Sequence, residues 1–353
     1  MAHLSLGYEH SCVVLDGGTL WCWGRNQNGQ LGLGDITAHS APTQVGSNST
    51  RTLVASGQEH SCALRTDRSR WCWGRNQAEQ LGLEDTAQRL EPTEASGELS
   101  QLTVGLAHSC GATSSRIISC WGSDSDGQLG IDGDGSPIST PTGLVGGEQW
   151  VMLSAGGRHS CAVRLDSTLW CWGYNIDGEL GNGDFVDRSV PTQVGTEAKW
   201  VEVAGAGFHS CGRTNNDELW CWGGGLRGQL EIGQDGPNVN IPSPQRVGTE
   251  SDWRRVIGDR SHACGLRGSG ELWCWGANEG GQLGLAVLDN HPSPTQIGQA
   301  DDWTDLAAGS AHSCGIRNGG GLWCWGDDQY GQVGSETGSL ITNPTRICLP
   351  TGG

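Results

Sequence analysis

Polar and apolar residues alternate over short stretches of this chain, and the alternation recurs about every fifty residues. In one copy, residues 160–164 and 168–173 alternate on either side of the three-residue segment 165–167. A period of two is typical of a half-buried strand, and a short connection predicts an antiparallel hairpin. A strand over 150–156 and another over 191–195 give four strands per repeat. No long window has helical periodicity, so the pattern predicts an all-β fold.

The repeat is counted most easily from its cysteines, which occur in seven pairs separated by ten residues. Successive first cysteines lie 50, 48, 51, 50, 53 and 50 residues apart. Seven four-stranded repeats predict a seven-bladed β-propeller of antiparallel blades, because each repeat buries its faces only against its neighbours. We therefore expect one propeller domain over 1–353, with approximate repeats 1–50, 51–99, 100–149, 150–199, 200–252, 253–302 and 303–353.

The hairpin register assigns each side chain to a face of its blade. If Cys161 pairs with Cys171, then Ala162 pairs with Trp170 and the loop is 165–167. Cys171 then lies on one face, and the tryptophans on either side of it lie on the other. We expect the tryptophan face of one blade to pack against the sulfur-bearing face of the next, with the tryptophans in the core.

Four motifs of this repeat resemble a known family. They are A-G-x-x-H-S-C-A-L, L-W-C-W-G-x-N, G-Q-L-G and P-T-Q-V, and together they resemble the repeat of the regulator of chromosome condensation family, in a cysteine-paired, bacterial-type variant. The resemblance spans nearly the whole chain and implies a seven-bladed propeller. It says little about function, because the family includes exchange factors, photoreceptors, enzyme inhibitors and scaffolds.

Cysteines directly opposite each other in a hairpin are close enough for a disulfide after small adjustments. We expect seven intrablade bonds, between Cys12 and Cys22, Cys62 and Cys72, Cys110 and Cys120, Cys161 and Cys171, Cys211 and Cys221, Cys264 and Cys274, and Cys314 and Cys324. Reduced packing cysteines are one alternative. A metal or redox site is another, since His159 lies on the same face as Cys161 and Cys171. The register instead places this histidine over a glycine, where we expect it to fill space. Cys348 has no partner in the pattern.

Charge and composition exclude several classes of partner. The net charge is −18 and Lys199 is the only lysine, which argues against nucleic-acid binding, and no apolar run is long enough to insert into a membrane. The chain is also rich in tryptophan, with 17 residues. Because paired cysteines persist in oxidising compartments, we expect an extracytoplasmic protein, whether secreted, periplasmic or on the cell surface. No signal peptide precedes the first strand, so we expect that one has been removed; a cytosolic location is the alternative.

No catalytic constellation and no cofactor motif emerges from the sequence. Adjacent His and Ser point to opposite faces, and a Gly-rich phosphate loop with Lys is absent. We expect a non-enzymatic, monomeric scaffold that binds an unidentified protein. Alternatives are a secreted propeller that inhibits an enzyme, a metal-binding or redox protein, and, least favoured, a nucleotide exchange factor for a small GTPase.

Partner binding is expected in the turns and loops that differ between repeats. All five non-tryptophan aromatics occur there. The predicted partner-binding residues are Tyr8, Arg158, Phe208 and Arg260 in the turns before the histidine, and Tyr174, Phe185 and Tyr330 around or after the G-Q-L-G loop. The sequence leaves open whether the two sets share one rim.

Overall fold

The structure, a computed structural model, describes residues 3–196, 199–230 and 240–349 and contains seven four-stranded antiparallel sheets. Each sheet is formed by consecutive strands, which confirms the predicted seven-bladed β-propeller. In chain order the blades are β1 (His3–Leu6), β2 (His10–Val14), β3 (Leu20–Gly24), β4 (His39–Gln44); β5 (Arg51–Ser56), β6 (His60–Arg65), β7 (Ser69–Gly74), β8 (Arg89–Glu98); β9 (Gln101–Val104), β10 (His108–Ala112), β11 (Ile118–Gly122), β12 (Ile138–Gly143); β13 (Trp150–Ala155), β14 (His159–Arg164), β15 (Leu169–Gly173), β16 (Arg188–Val194); β17 (Trp200–Gly205), β18 (His209–Thr214), β19 (Leu219–Gly224), β20 (Asn240–Arg246); β21 (Trp253–Gly258), β22 (His262–Arg267), β23 (Glu271–Gly276), β24 (His291–Gln296); and β25 (Trp303–Ala308), β26 (His312–Arg317), β27 (Gly321–Gly326), β28 (Ile341–Ile347).

The central hairpin of each blade has the predicted register. In the fourth blade Cys161 pairs with Cys171 and His159 pairs with Gly173. The backbone N–H of Arg164 donates to the carbonyl of Thr168 at 2.9 Å, which leaves 165–167 as the loop. All seven cysteine pairs are joined as disulfides, with Cα atoms only 4.1 to 4.2 Å apart, the short spacing of non-hydrogen-bonded antiparallel pairs.

The core consists of layers between neighbouring blades. In the layer between the first and second blades, the Cys12–Cys22 pair packs with Leu31, Val54 and Trp73. The tryptophan face of one blade therefore lies against the sulfur-bearing face of its neighbour, as predicted, but that neighbour is the preceding blade and not the next one. The second tryptophan of W-C-W is fully buried. The first one is more exposed and lies nearer the hairpin loop, as at Trp170, where the guanidinium of Arg164 lies 3.8 Å from the ring centroid.

The fourth strand of each blade is the outer edge of its sheet, and the first strand is the inner edge. Prolines such as Pro191 tolerate this position because an edge strand leaves some N–H groups unpaired. The inner strands contact one another around the ring, including β25 with β1. The ring therefore closes in repeat register, without exchange of a terminal strand among the described residues. Nowhere in the described part of the chain is there a helix that could cross a membrane.

Candidate functional site

Both sets of loops considered in the sequence lie at the same end of the propeller. Within each blade the loop between the first and second strands meets the loop between the third and fourth. For example, the backbone N–H of Tyr174 donates to the carbonyl of Arg158 at 3.0 Å. We call the end of the propeller formed by these fourteen loops the loop rim. The seven predicted partner-binding residues all lie on it.

Six of the loop-rim side chains form three arginine–tyrosine pairs. Arg158 lies over the ring of Tyr174, at 4.6 Å, and forms an ion pair with Asp126 at 2.6 Å. The Arg260 guanidinium donates to the Tyr8 hydroxyl, although the two residues are 252 positions apart in the chain.

The third pair joins Tyr330 to Arg25, with 5.3 Å between the guanidinium and the ring centroid. Sequence reasoning missed Arg25, which follows the W-G motif directly. Phe208 and Phe185 are 38% and 47% exposed. The structure therefore brings the predicted residues to one surface but not into a single cluster.

The long loop of the first blade is held in place by its own polar residues. In the first blade the side chain of Asn26 accepts from the N–H of Leu31 and donates to the carbonyl of Asp35, both at 3.0 Å. The side-chain oxygen of Gln30 accepts from the N–H of Asn28 at 2.9 Å. The buried Leu31 anchors the loop in the core. The exposed loop residues are thus presented on a preorganised frame.

Hydrogen bonds between neighbouring blades involve the histidine of the repeat. The ring nitrogen Nε2 of His10 lies 2.9 Å from the hydroxyl of Ser61 in the next blade, and this hydroxyl donates to the carbonyl of Gln30. Trp73 donates to the same carbonyl at 2.8 Å. The predicted space-filling role of the histidine is thus incomplete: the histidine also links two blades.

The histidine pairs occur at six of the seven blade junctions. They join His10 to Ser61, His60 to Ser109, His108 to Ser160, His159 to Ser210, His262 to Ser313, and His312 to Ser11. At the seventh junction Ala263 replaces the serine, and both ring nitrogens of His209 lack a partner in the described structure. Burial lowers the pKa of these seven histidines to about 3 or 4, so they are neutral at pH 7.

The fourth blade contains a further exception, because Glu179 stands where the other repeats have glutamine. Its side chain is fully buried, with one carboxyl oxygen accepting from the N–H of Asp177 at 3.0 Å and the other lacking a partner. Burial, together with the nearby Asp177 and Asp187, raises the pKa of Glu179 to about 8. Glu179 is therefore mostly protonated at neutral pH and resembles glutamine in charge.

Two cavities open on the loop rim. One, which we call the throat, has a volume of about 120 Å³ and is lined by the first turn or the inner strand of every blade. The other, which we call the side groove, has a volume of about 390 Å³ and is bordered by Phe208, Leu226 and Arg260. The throat is too small to enclose a drug-sized ligand, whose pockets usually have about 300–1,000 Å³.

The loop rim is strongly acidic. Its described loops contain five arginines, four of which form ion pairs within the rim, and twenty acidic residues. The acidic residues are Glu9, Asp35, Glu59, Glu79, Glu84, Asp85, Asp124, Asp126, Asp132, Asp134, Asp177, Glu179, Asp184, Asp187, Asp259, Glu279, Asp289, Asp327, Asp328 and Glu336. A large negative excess therefore remains after these pairs are formed.

The His-Cys-Cys sets are not assembled as metal sites in this fold. The cysteine sulfurs bond to each other, and six of the seven histidines face a serine of the next blade. Within residues 3–196, 199–230 and 240–349, no group of three or more His, Cys, Asp or Glu side chains is placed to hold a metal ion. Cys348 is exposed and free.

Two family models match the repeats over most of the chain. One model of the Regulator of chromosome condensation (RCC1) repeat matches residues 17–64, 120–163, 166–212 and 269–316, and a second model of this repeat matches 2–30, 52–80, 152–179, 201–229 and 303–332. The chain belongs to the RCC1 repeat family.

Several solved structures are similar to this chain in fold at low sequence identity. Human WBSCR16 is 20% identical, with a TM-score of 0.85 and coverage of 94% of each chain. Prp20p from Saccharomyces cerevisiae, described with its binding to Gsp1p and histones, is 19% identical, with a TM-score of 0.84 and coverage of 96% of this chain and 88% of that one. The ectodomain of the Arabidopsis thaliana receptor kinase ACR4 is 20% identical, with a TM-score of 0.56 and coverage of 98% of both chains. At these identities the likeness shows the fold alone.

Proposed function

We propose that this RCC1-repeat propeller is a non-enzymatic scaffold that binds a protein partner through its loop rim. The observation that carries the proposal is the position of the aromatic residues: all three tyrosines and both phenylalanines of the chain lie on this rim. Tyrosine and arginine are enriched among the residues that contribute most to protein interfaces. The three arginine–tyrosine pairs supply both on a rigid frame, which lowers the entropic cost of binding.

A capture experiment with matched variants tests the proposal. We expect wild-type protein to retain a partner from the extracellular fraction of its source, and the double variant Tyr8→Ala and Phe208→Ala to lose it. The control is Leu165→Ala, since Leu165 is 56% exposed on a hairpin at the opposite end. Equal capture by the double variant and the control would overturn the proposal. A secreted enzyme among the retained proteins, inactive while bound, would identify the scaffold as an inhibitor.

We further propose that the protein works outside the reducing cytosol. The support is the presence of one disulfide in each of the seven blades, a density typical of proteins in oxidising compartments.

A thiol count provides the test of location. Native protein denatured without reductant should expose one reactive thiol, that of Cys348, because the other fourteen cysteines are bonded. Reduction of the denatured protein, followed by removal of the reductant, should raise the count to 15. Fifteen thiols in the unreduced sample would show that the protein resides in a reducing compartment.

A further inference from the structure

The throat has one position at which this chain departs from its own repeat. Three residues before each histidine the chain has glycine in five blades, alanine at Ala206 and aspartate at Asp259. The glycines are required by close approach, since a β-carbon at Gly7 would overlap the carbonyl oxygen of Gly57 in the next blade. Asp259 is the single acidic residue among those that line the throat in the described structure.

The charge of Asp259 is poorly compensated. Its neighbour Arg260 donates a backbone N–H to the carboxyl group and directs its guanidinium toward the Tyr8 hydroxyl. In the described ranges Asp259 forms no ion pair. Burial raises the pKa of Asp259 to about 7, against the lowering effect of Arg260. A cation that entered the throat would stabilise the ionised carboxylate.

The surroundings favour a cation carried by a polypeptide. The side groove adjoins the throat, because Asp259 lines the throat and Arg260 lines the groove. Its lining includes the apolar side chains of Phe208 and Leu226, which are 38% and 54% exposed. The volume of about 120 Å³ admits the end of one long side chain. A single carboxylate also suits an ammonium or guanidinium group better than a multivalent metal ion, which needs several ligands.

We infer that the throat binds a lysine or arginine side chain of a protein partner, with Asp259 as its counter-ion and Phe208 and Leu226 in contact with adjacent apolar residues of the partner. This inference rests on the proposed scaffold function and names the chemistry of the partner. The acidic loop rim around the throat would accelerate the approach of a basic segment, and the rate should fall as salt is added.

A displayed library of random linear peptides tests the inference on the full chain. Peptides are selected on wild-type protein in the presence of an excess of free Asp259→Asn protein as competitor. We expect the selected peptides to share one arginine or lysine next to apolar residues. Separate peptides with arginine, lysine or uncharged citrulline at this position then distinguish the two cations from a neutral isostere. Failure to select peptides, or selection without a shared basic residue, would overturn the inference.

Affinity measurements on the selected peptides complete the test. Asp259→Asn should weaken binding about tenfold or more, and so should Asp259→Gly, which restores the residue of five other blades. The control Asp301→Asn changes the same charge at an exposed site on the opposite end and should leave the affinity unchanged. Calorimetry at pH 7 in buffers of different ionisation enthalpy should show release of about half a proton on binding, absent in Asp259→Asn.

The two proposals fail in different ways. If Asp259→Asn retains the natural partner and binds the peptides as tightly as wild type, the throat inference is wrong while the scaffold remains. If the double variant Tyr8→Ala and Phe208→Ala also retains the partner, the loop rim itself is the wrong surface.

Discussion

At the scale of single residues, Glu179 shows how one substitution within a repeat changes the response of the fold to pH. The carbonyl of Glu179 accepts from Ser210 at 2.9 Å and from Trp222 at 2.8 Å, so its backbone belongs to the junction between the fourth and fifth blades. Its side chain occupies a glutamine position, where an ionised carboxylate has no compensating cation. Ionisation therefore opposes the native structure at this junction.

We predict that Glu179 makes the protein less stable as pH rises from about 4.5 to about 8. Because the folded-state pKa is raised to about 8, the native protein binds more protons than the unfolded chain within this window, and the free energy of unfolding falls with pH. Glu179→Gln should be more stable than wild type, by a margin that grows across the window. Urea unfolding of both proteins at a series of pH values measures this margin.

The control for this prediction is Glu336→Gln, which removes the charge of an exposed carboxylate on the same rim. Its stability difference from wild type should stay small, because this carboxylate is exposed to solvent. A margin for Glu179→Gln that does not change with pH would show that Glu179 is already ionised at pH 5.

At the scale of strands and hairpins, the sequence predicted more about each blade than about the contacts between blades. Period-two alternation and the cysteine spacing were sufficient for the hairpin register, the three-residue loop and the opposite faces of cysteine and tryptophan. Alternation assigns a side chain to a face but does not identify the residue that the face meets. His159 and Ser210, 51 positions apart, therefore could not be paired from the pattern.

The junction between the fifth and sixth blades allows the contribution of a histidine–serine hydrogen bond to the free energy of unfolding to be measured. We predict that Ala263→Ser stabilises the protein by about 1–2 kcal/mol, because the new hydroxyl would satisfy His209 and reach the carbonyl of Gln229, as serine does at the other junctions. Equilibrium unfolding in urea at pH 7 measures the change.

Ser210→Ala is the matched comparison, because it removes the partner of His159 at the preceding junction. It should destabilise the protein by about 1–3 kcal/mol, since a buried ring nitrogen loses its hydrogen bond. If both variants were as stable as wild type, the histidine–serine hydrogen bonds would make no net contribution to the free energy of unfolding.

At the scale of the whole molecule, the closed ring decides which predicted residues meet. The last and first blades are joined by the contacts found at most other junctions, including His312 with Ser11 and Trp23 with the carbonyl of Gln332. Closure places Arg260 beside Tyr8. The sequence singled out both as variable turn residues, but their contact depends on the curvature of the ring.

The candidate site was therefore predictable in its residue types but not in its arrangement. Variation between repeats pointed to the aromatic turn residues without showing that the two loop sets share a rim. Asp259 was missed because its importance appears only when the throat is seen to require small residues. Alignment of the seven turns, with attention to the glycine three residues before each histidine, contains the signal that could have identified it.

The ring of buried histidines predicts how the whole propeller responds to acid. All seven have folded-state pKa values lowered to about 3 or 4, whereas in the unfolded chain they titrate near 6.5. Between these values the unfolded chain binds more protons, so the free energy of unfolding falls as pH drops below about 6.5. Each histidine contributes up to about 1.4 kcal/mol per pH unit, and Glu179 and Asp259 offset part of this because their shifts have the opposite sign.

We expect the urea midpoint to fall steeply between pH 6.5 and pH 4. His209→Gln removes one titrating group at the junction that already lacks a serine. The free energy of unfolding of this variant should therefore fall less steeply as pH decreases, and the difference in slope should correspond to about one proton. Circular dichroism followed through urea titrations at each pH measures both slopes. A midpoint that stayed constant down to pH 4.5 would mean that the buried histidines are protonated without unfolding, and that the blade junctions open locally to admit water.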